Sequence, residues 1–397
     1  MTTIKISRNM LLGALLRLRH TFLRKNALPI MSDYLFEIGD GGLEVTSSDG
    51  ETVTTVRIPL GEEAVTHEGE QRMRFCVFRH FLLQAVKALD EQDLTINVLD
   101  YQIRIVHADG QFGIGTEDAS EYPVFAFPSS DQYRHSMSVE APGLSHWLET
   151  LSFAVSKDML RPVMTGIVFN FISGSLELAA SDGHKLVRIR KSSVGIEKNT
   201  NIIISKKATY ILSSVLPKTG HVDFCFNEYL PDEKEPKRAE SMFCINYEDG
   251  CEMKIYSRGI EGRYPNYNSV IPARWECAVR IDRRNLIKIL NRTIIFTNSS
   301  DMIRLRLEEG LMELSCGDAD EMLDCKERIP AEVVDGTLMG LPFGLKAQML
   351  QQCLHRLQSG SVLLKVTDPS RAVILEPEPQ PDVEEITMLI MPMLIND

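Results

Sequence analysis

Three polar turns hold the residues of this chain that come closest to chemistry. Asp49-Gly50 follows Leu43-Glu44-Val45-Thr46-Ser47-Ser48, and Asp182-Gly183 follows Leu176-Glu177-Leu178-Ala179-Ala180-Ser181. A degraded third copy reads Met312-Glu313-Leu314-Ser315-Cys316-Gly317-Asp318-Ala319. Two aspartates meeting in one site could share general acid and base work. These two instead hold the same place in separate copies of one motif, where the carboxylate folds onto its own turn and glycine supplies positive φ. His184, in Ser181-Asp182-Gly183-His184-Lys185-Leu186, adds an imidazole that a turn can present to a ligand.

Other chemistry is missing from the pattern. Gly113-Ile114-Gly115 lacks the third glycine of a dinucleotide fingerprint and follows no βαβ unit. The sequence has no phosphate-binding Gly-x-x-x-x-Gly-Lys loop, no Gly-x-Ser-x-Gly elbow and no His-Glu-x-x-His. Cysteines at 76, 225, 244, 251, 277, 316, 325 and 353 form no Cys-x-x-Cys pair, and no histidine pair stands near them at zinc spacing. They read as free buried thiols of a reducing cytoplasm. The expectation is therefore no catalytic residue, no metal and no cofactor. The alternative is a tandem α+β enzyme or ligand-binding protein with its site around residues 181–186.

The elements that must position these turns repeat with them. Each module opens with an alternating strand (4–7, 137–140, 279–282) and an amphipathic helix. The first helix, 10–22, is apolar at Leu11, Leu12, Leu15, Leu16 and Leu18; the second, 144–155, at Leu144, Trp147, Leu148 and Leu151. The third, 286–296, uses Leu286, Ile289, Leu290 and Ile294. Two strands around the turn follow. Another strand (73–77, 201–204, 336–341) then leads to a second helix (78–89, 207–216, 344–357). Strand pairs 94–99 with 102–107, 222–226 with 241–246 and 362–366 with 372–376 finish the modules.

The pattern predicts β-α-β-β twice per module: an α+β fold of three tandem two-helix, antiparallel-sheet modules at 1–128, 129–273 and 274–397. The charged, proline-rich stretches 231–238 and 376–382 read as solvated loops. No run approaches the roughly 18 apolar residues of a membrane span. The N-terminus alternates like a strand, so no secretory leader is expected and the cytoplasm is the expected location.

A net charge of −12 speaks against a polyanionic partner, but the distribution speaks for one. Residues 1–32 hold Lys5, Arg8, Arg17, Arg19, Arg24 and Lys25 and no carboxylate side chain. Arg79 and Lys87, Arg161, Lys206 and Lys207, Arg283, Arg284, Lys288 and Arg292, and Lys346 and Arg356 lie on or beside the other helices. A basic bias shared by all the helices predicts a phosphate-facing wall that holds nucleic-acid backbone without sequence preference.

Four motifs then fall in order on the repeat. They are Arg24-Lys25-Asn26-Ala27-Leu28-Pro29-Ile30, Ser181-Asp182-Gly183-His184-Lys185-Leu186, Glu261-Gly262-Arg263-Tyr264-Pro265-Asn266-Tyr267 with Val270-Ile271-Pro272, and Met391-Pro392-Met393. In these the chain resembles, along essentially its whole length, the bacterial DNA polymerase sliding clamps, the beta subunits of the replicative polymerase holoenzyme. The resemblance implies a head-to-tail homodimer whose six modules close into a ring around duplex DNA, helices lining the hole. Such a ring is a non-catalytic processivity factor in DNA replication.

The resemblance also assigns residues. Arg24, Lys25, Arg79, Arg161, Lys206, Lys207, Arg283, Lys288 and Arg292 would face DNA. Phe112 and Ile114 would meet Ile295 and Phe296 of a second copy. A partner-peptide cleft would comprise Met164, Ser181, Gly183, His184, Lys185, Leu186, Pro265, Val270, Met391, Pro392 and Met393. Its methionines suit a wall that repacks around several peptides. The implied partners are the replicative polymerase catalytic subunit, the clamp loader ATPase, and other replication and repair proteins with the clamp motif. Three departures mark this chain. Leu394-Ile395-Asn396-Asp397 replace the family's basic residue and leucine after Met393. Phe343-Gly344-Leu345-Lys346-Ala347 replaces Phe-Asn-x-x-Tyr, and Lys185 replaces arginine, losing its planar fork.

Overall fold

A computed structural model describes the chain except for residues 1, 23–25, 27, 40–41, 62–63, 68–72, 126–127, 193–194, 231–237, 319–321, 338–339, 341 and 396–397. Each sequence module contains two halves of the same order: one strand, one helix and three antiparallel strands. Module one runs β1 (Thr2–Ser7), α1 (Arg8–Leu18), β2 (Tyr34–Gly39), β3 (Gly42–Ser48) and β4 (Thr52–Ile58). After a short β5 (Val65–His67) come β6 (Met73–Val77), α2 (Arg79–Ala88), β7 (Asp93–Val98), β8 (Gln102–His107) and β9 (Gly110–Asp118).

Module two runs β10 (His135–Glu140), α3 (Ala141–Ser152), β11 (Gly166–Ile172), β12 (Ser175–Ser181) and β13 (Lys185–Lys191). Its second half is β14 (Thr200–Ser205), α4 (Lys206–Val215), β15 (His221–Asn227), β16 (Glu240–Asn246) and β17 (Glu252–Arg258). Module three runs β18 (Cys277–Asp282), α5 (Arg283–Thr293), β19 (Met302–Glu308), β20 (Leu311–Asp318) and β21 (Leu323–Gly336). It closes with β22 (Phe343–Lys346), α6 (Ala347–Arg356), β23 (Ser361–Val366), β24 (Val373–Glu378) and β25 (Glu385–Ile390).

The first strand of each half pairs in the ladder of the other half. β1 pairs with β7 and β6 with β2; β10 with β15 and β14 with β11; β18 with β23 and β22 with β19. The described chain forms two compact units, Met1–Ser145 with Lys207–Gly259, and His146–Lys206 with Ile260–Asp397. Neither coincides with one sequence module. In the first unit β4 pairs with β17, giving one 13-stranded sheet. In the second, β13 pairs with β25, giving one 12-stranded sheet. α1 packs beside α2 in the first unit and α5 beside α6 in the second. Their apolar stripes (Leu11, Leu15 and Leu18; Leu286 and Leu290) are fully buried against the sheets. Each such leucine stabilises the fold by about 2 kcal/mol.

Several expected elements shift, each for a physical reason. Halves of β-α-β-β are one strand short: β2, β11 and β19 precede the repeated turns, and β9, β17 and β25 end the modules. β9 carries Gly110, Gly113 and Gly115, which mask its alternation. The helices begin earlier than their apolar periodicity, because Ser7 and Asp282 cap them through Met10 N–H (3.2 Å) and Asn285 N–H (2.7 Å). The strand expected at 336–341 is instead β22, and its helix begins at Ala347. Gly336 ends β21 at φ +79°, where an added Cβ would lie 2.0 Å from the Glu276 carbonyl oxygen. The stretch 376–382 is not wholly a solvated loop: Glu376, Pro377 and Glu378 extend β24 along β23, and Pro377 is buried. The other proline-rich stretch, 231–238, lies outside the described residues apart from Arg238.

Candidate functional site

The repeated turn is built identically in its first two copies. Asp49 accepts the N–H groups of Glu51 and Thr52 at 2.9 and 2.7 Å, and Asp182 accepts those of His184 and Lys185, both at 2.9 Å. Gly50 and Gly183 have φ of +92° and +88°. Both aspartates thus serve their own turns, as the motif predicts. The copies differ in the cation taken by the second carboxylate oxygen. Asp49 takes Lys207, which also donates to the Thr21 carbonyl; Asp182 takes its own Lys185 at 2.6 Å. Burial pushes the Asp182 carboxyl up, but the Lys185 ammonium and the two turn N–H groups outweigh it and hold it below the usual range. Lys185 is itself buried, so the structure spends its charge inside the turn and not toward a ligand.

The second copy differs also in what adjoins it. Register pairs Lys185 with Ile390 at the end of β25, and the Met391 N–H extends the ladder to the His184 carbonyl at 2.8 Å. Two residues on, the Met393 N–H donates to the Gly344 carbonyl at 2.8 Å, bridging to β22. A Cβ on residue 344 would come within 2.9 Å of the Met393 oxygen. The glycine that departs from the family pattern therefore lets the tail lie against β22.

Around this tail, Leu186 (2% exposed) and Met164 are buried, while Val270 (52%), Pro265, His184 and Met391 are exposed and Pro392 and Met393 half-exposed. Leu186 packs with Tyr264, Tyr267 and Leu389. The Tyr264 hydroxyl accepts the Ser181 N–H at 3.0 Å, and Ser181 Oγ donates to the Lys185 carbonyl at 2.8 Å. The stretch 264–268 is fastened to the sheet by Glu177. That carboxylate accepts from Tyr267 (3.0 Å), Asn268 (3.1 Å) and Arg190 (2.6 and 2.8 Å). Burial raises Glu177, yet these donors win and hold it low.

Sequence reasoning passes over Met159 and Leu160, the latter 91% exposed, directly before Arg161. The missed signal is an apolar pair inside a polar loop. Arg161 reaches the repeated turn: its Nη1 lies 3.7 Å from where a Cβ on Gly183 would sit.

The expected DNA-facing cations divide by environment. Lys288 is exposed on α5, and Lys206 is exposed at the start of α4. Arg79 lies over the Phe22 ring at 4.3 Å. Arg283 donates to the Ser359 and Leu354 carbonyls at 2.6 and 3.0 Å. Arg292 grips Glu327 through two bonds of 2.8 and 2.9 Å, which raise its pKa. Arg24 and Lys25 lie outside the described residues.

Of the strands that end half-modules, two keep an open edge among the described residues. Residues 110–115 of β9 pair with β8, and residues 323–330 of β21 with β20; on their other side neither has a partner among the described residues. Phe112 is half-exposed on β9, and Ile295 (71%) and half-exposed Phe296 follow α5. Ile114 is already buried within its own unit. Among the described residues no three metal-ligating side chains cluster, and no helix is long and apolar enough to cross a membrane.

Comparison with known proteins gives the same family three times over. Family profiles of the DNA polymerase III beta subunit match in series: the N-terminal domain at residues 2–126, the central domain at 138–266 and the C-terminal domain at 268–394. Curated relatives include the beta sliding clamp of Staphylococcus epidermidis, 24% identical over 379 residues, and that of Staphylococcus aureus, 22% over 378, each covering 93% of both chains. Among solved structures, the DNA polymerase III beta subunit of Thermotoga maritima matches with a TM-score of 0.86 at 18% identity, covering 100% of both chains. The Pseudomonas aeruginosa sliding clamp bound to griselimycin matches with a TM-score of 0.87 at 21% identity, over 99% of this chain and 100% of that one. These structures establish the likeness of fold.

Proposed function

The chain belongs to the DNA polymerase III beta subunit family and is a sliding clamp, a non-catalytic processivity factor, and we propose that two copies close head to tail around duplex DNA. The observation that carries this reading is the rule by which half-modules join. β4 ends a first half and pairs with β17, which ends a second half; β13 and β25 repeat that relation. One first-half end, β21, and one second-half end, β9, remain open. A second copy supplies each with its missing partner, and closure covers edges that would otherwise invite aggregation. Phe112, Ile295 and Phe296 would seal the joint, with Ile114 beneath it.

The cleft takes a short partner peptide over Leu186 and Met164. Val270, Pro265, Met391, Pro392 and Met393 form its walls, His184 and Gly183 its rim, and Ser181 and Lys185 its buttress. Met159, Leu160 and Arg161 extend the rim. The occupants are the polymerase catalytic subunit, the clamp loader and other replication and repair proteins. The DNA contact is electrostatic and indifferent to sequence.

Topology tests the whole reading. Loaded onto a nicked circle the protein should stay, and linearising the circle should release it within seconds to minutes. Equal retention on both forms, or a monomer at every working concentration, would sink the ring.

A further inference from the structure

Cys316 on β20 and Cys325 on β21 stand directly opposite each other in the antiparallel ladder. Such residues have Cα atoms about 4.5 or 5.5 Å apart according to ladder position, and both separations suit a disulfide. The two are free, half-buried thiols in hydrogen-bond contact, and Cys316 Sγ also donates to the Thr293 carbonyl at 3.4 Å. No other two cysteines face each other across a ladder among the described residues. The pair lies on the stretch of β21 whose other edge is open. Thr293 ends α5, directly before the turn Ile294–Phe296.

We propose that Cys316 and Cys325 form a dithiol oxidation site for hydroperoxides, closing to an intrachain disulfide that weakens the ring-closing edge. The effect on closure rests on the reading of β21 as a subunit joint; the oxidation does not. Burial pushes the Cys316 thiol up to about 12, which leaves Cys325 to attack. Its thiolate sulfur takes one oxygen of hydrogen peroxide: an S–O bond forms, the O–O bond breaks, and the other oxygen leaves as water with the proton the thiol released. Cys316 sulfur then attacks the Cys325 sulfenic acid. The S–S bond forms, the S–O bond breaks, and the hydroxyl leaves as a second water with the Cys316 proton. Two electrons pass from the sulfurs to the peroxide, and no further reactant is needed. Closure brings the sulfurs to about 2.05 Å and draws Cys316 away from the carbonyl of Thr293, the residue directly before Ile294–Phe296.

The experiment treats the reduced full-length protein with hydrogen peroxide and maps its peptides without reduction. The expected product is a single 316–325 link, two hydrogens lighter, reversed by dithiothreitol. Cys316→Ser should instead leave a sulfenic acid on Cys325, trapped by dimedone. Sedimentation of the linked protein should show the dimer dissociating severalfold more readily, with reduction restoring it and the Cys316→Ser/Cys325→Ser double variant indifferent to peroxide. Folded protein that forms no such link at peroxide levels already oxidising exposed methionines overturns the site. A clean link with unchanged dissociation overturns the coupling. A reduced protein that never dimerises overturns the ring reading instead, and the link remains measurable without it.

Discussion

Met391 donates its backbone N–H to the carbonyl oxygen of His184 over 2.8 Å. In the first unit Arg258 does the same to Glu51 at 3.2 Å, so the bond belongs to the repeat and not to the cleft alone. What differs is the residue that arrives there. The first copy brings a cation to a turn carrying glutamate, whereas the second copy brings a methionine to one carrying histidine. The same structural joint therefore carries an apolar, adaptable side chain in the second copy.

Because the residues of β25 paired with β13 end at Ile390, and the tail adds to the sheet only the Met391 and Met393 N–H bonds, removing residues 391–397 should leave the sheet intact. We expect the truncated protein to keep its melting temperature and its dimer while losing polymerase-peptide binding at least a hundredfold. Fluorescence anisotropy with a labelled peptide checks the second point. Unchanged affinity would place the cleft elsewhere.

Gly344 makes a narrower test of the same wall. In Gly344→Val the side chain would press on the Met393 oxygen, now 2.9 Å from the Cβ position, and on Ile395 and Met302. The tail should lift from β22. Peptide affinity should fall about tenfold or more while overpacking costs roughly 1–3 kcal/mol of stability. A variant with wild-type affinity and lowered stability would show that the tail's seat on β22 is irrelevant to binding.

The Lys185–Asp182 pair carries a pH signature. Asp182 is held below its unfolded value, so its stabilisation is complete above the ordinary carboxylate range and is lost as pH falls through its depressed folded value. Lys185→Met leaves a largely buried carboxylate without its cation, which should cost roughly 3 kcal/mol at pH 7. The gap between variant and wild type should narrow as pH falls below the ordinary carboxylate range and through the depressed value of Asp182 in the wild type. Urea titrations across pH measure it, and a gap independent of pH would remove the pair from the account.

The threefold order was legible in the sequence because Asp-Gly turns and leucine periodicity repeat where the physics is local. The swapped first strands were not, since nothing in the residues of β6 says that they bridge β2 of the other half to β9 of their own. Glycine-rich β9 hid for want of alternation. At the site, the ion pair that buries Lys185 in its own turn was not legible because burial is a property of the packed turn, and Met159 and Leu160 escaped because two apolar residues in a loop form no period. Arg292 and Lys288 look equivalent on one helix; only the position of Glu327 on β21 separates them.

That separation yields a prediction about DNA. Each phosphate contact contributes close to one unit to the slope of log affinity against log salt. Lys288 is exposed on α5, so Lys288→Ala should lower the slope by about one unit per subunit's contact and weaken DNA retention more as salt falls. Arg292 already holds Glu327 in two hydrogen bonds. Arg292→Ala should therefore leave the slope almost unchanged and free a carboxylate beside the open edge of β21. Its effect should appear in the dimer's dissociation, not in the salt dependence of DNA binding. Salt titrations of both variants on short duplexes decide the matter. An equal fall in slope for the two would mean that the Glu327 pair opens when DNA approaches and that both cations face phosphate.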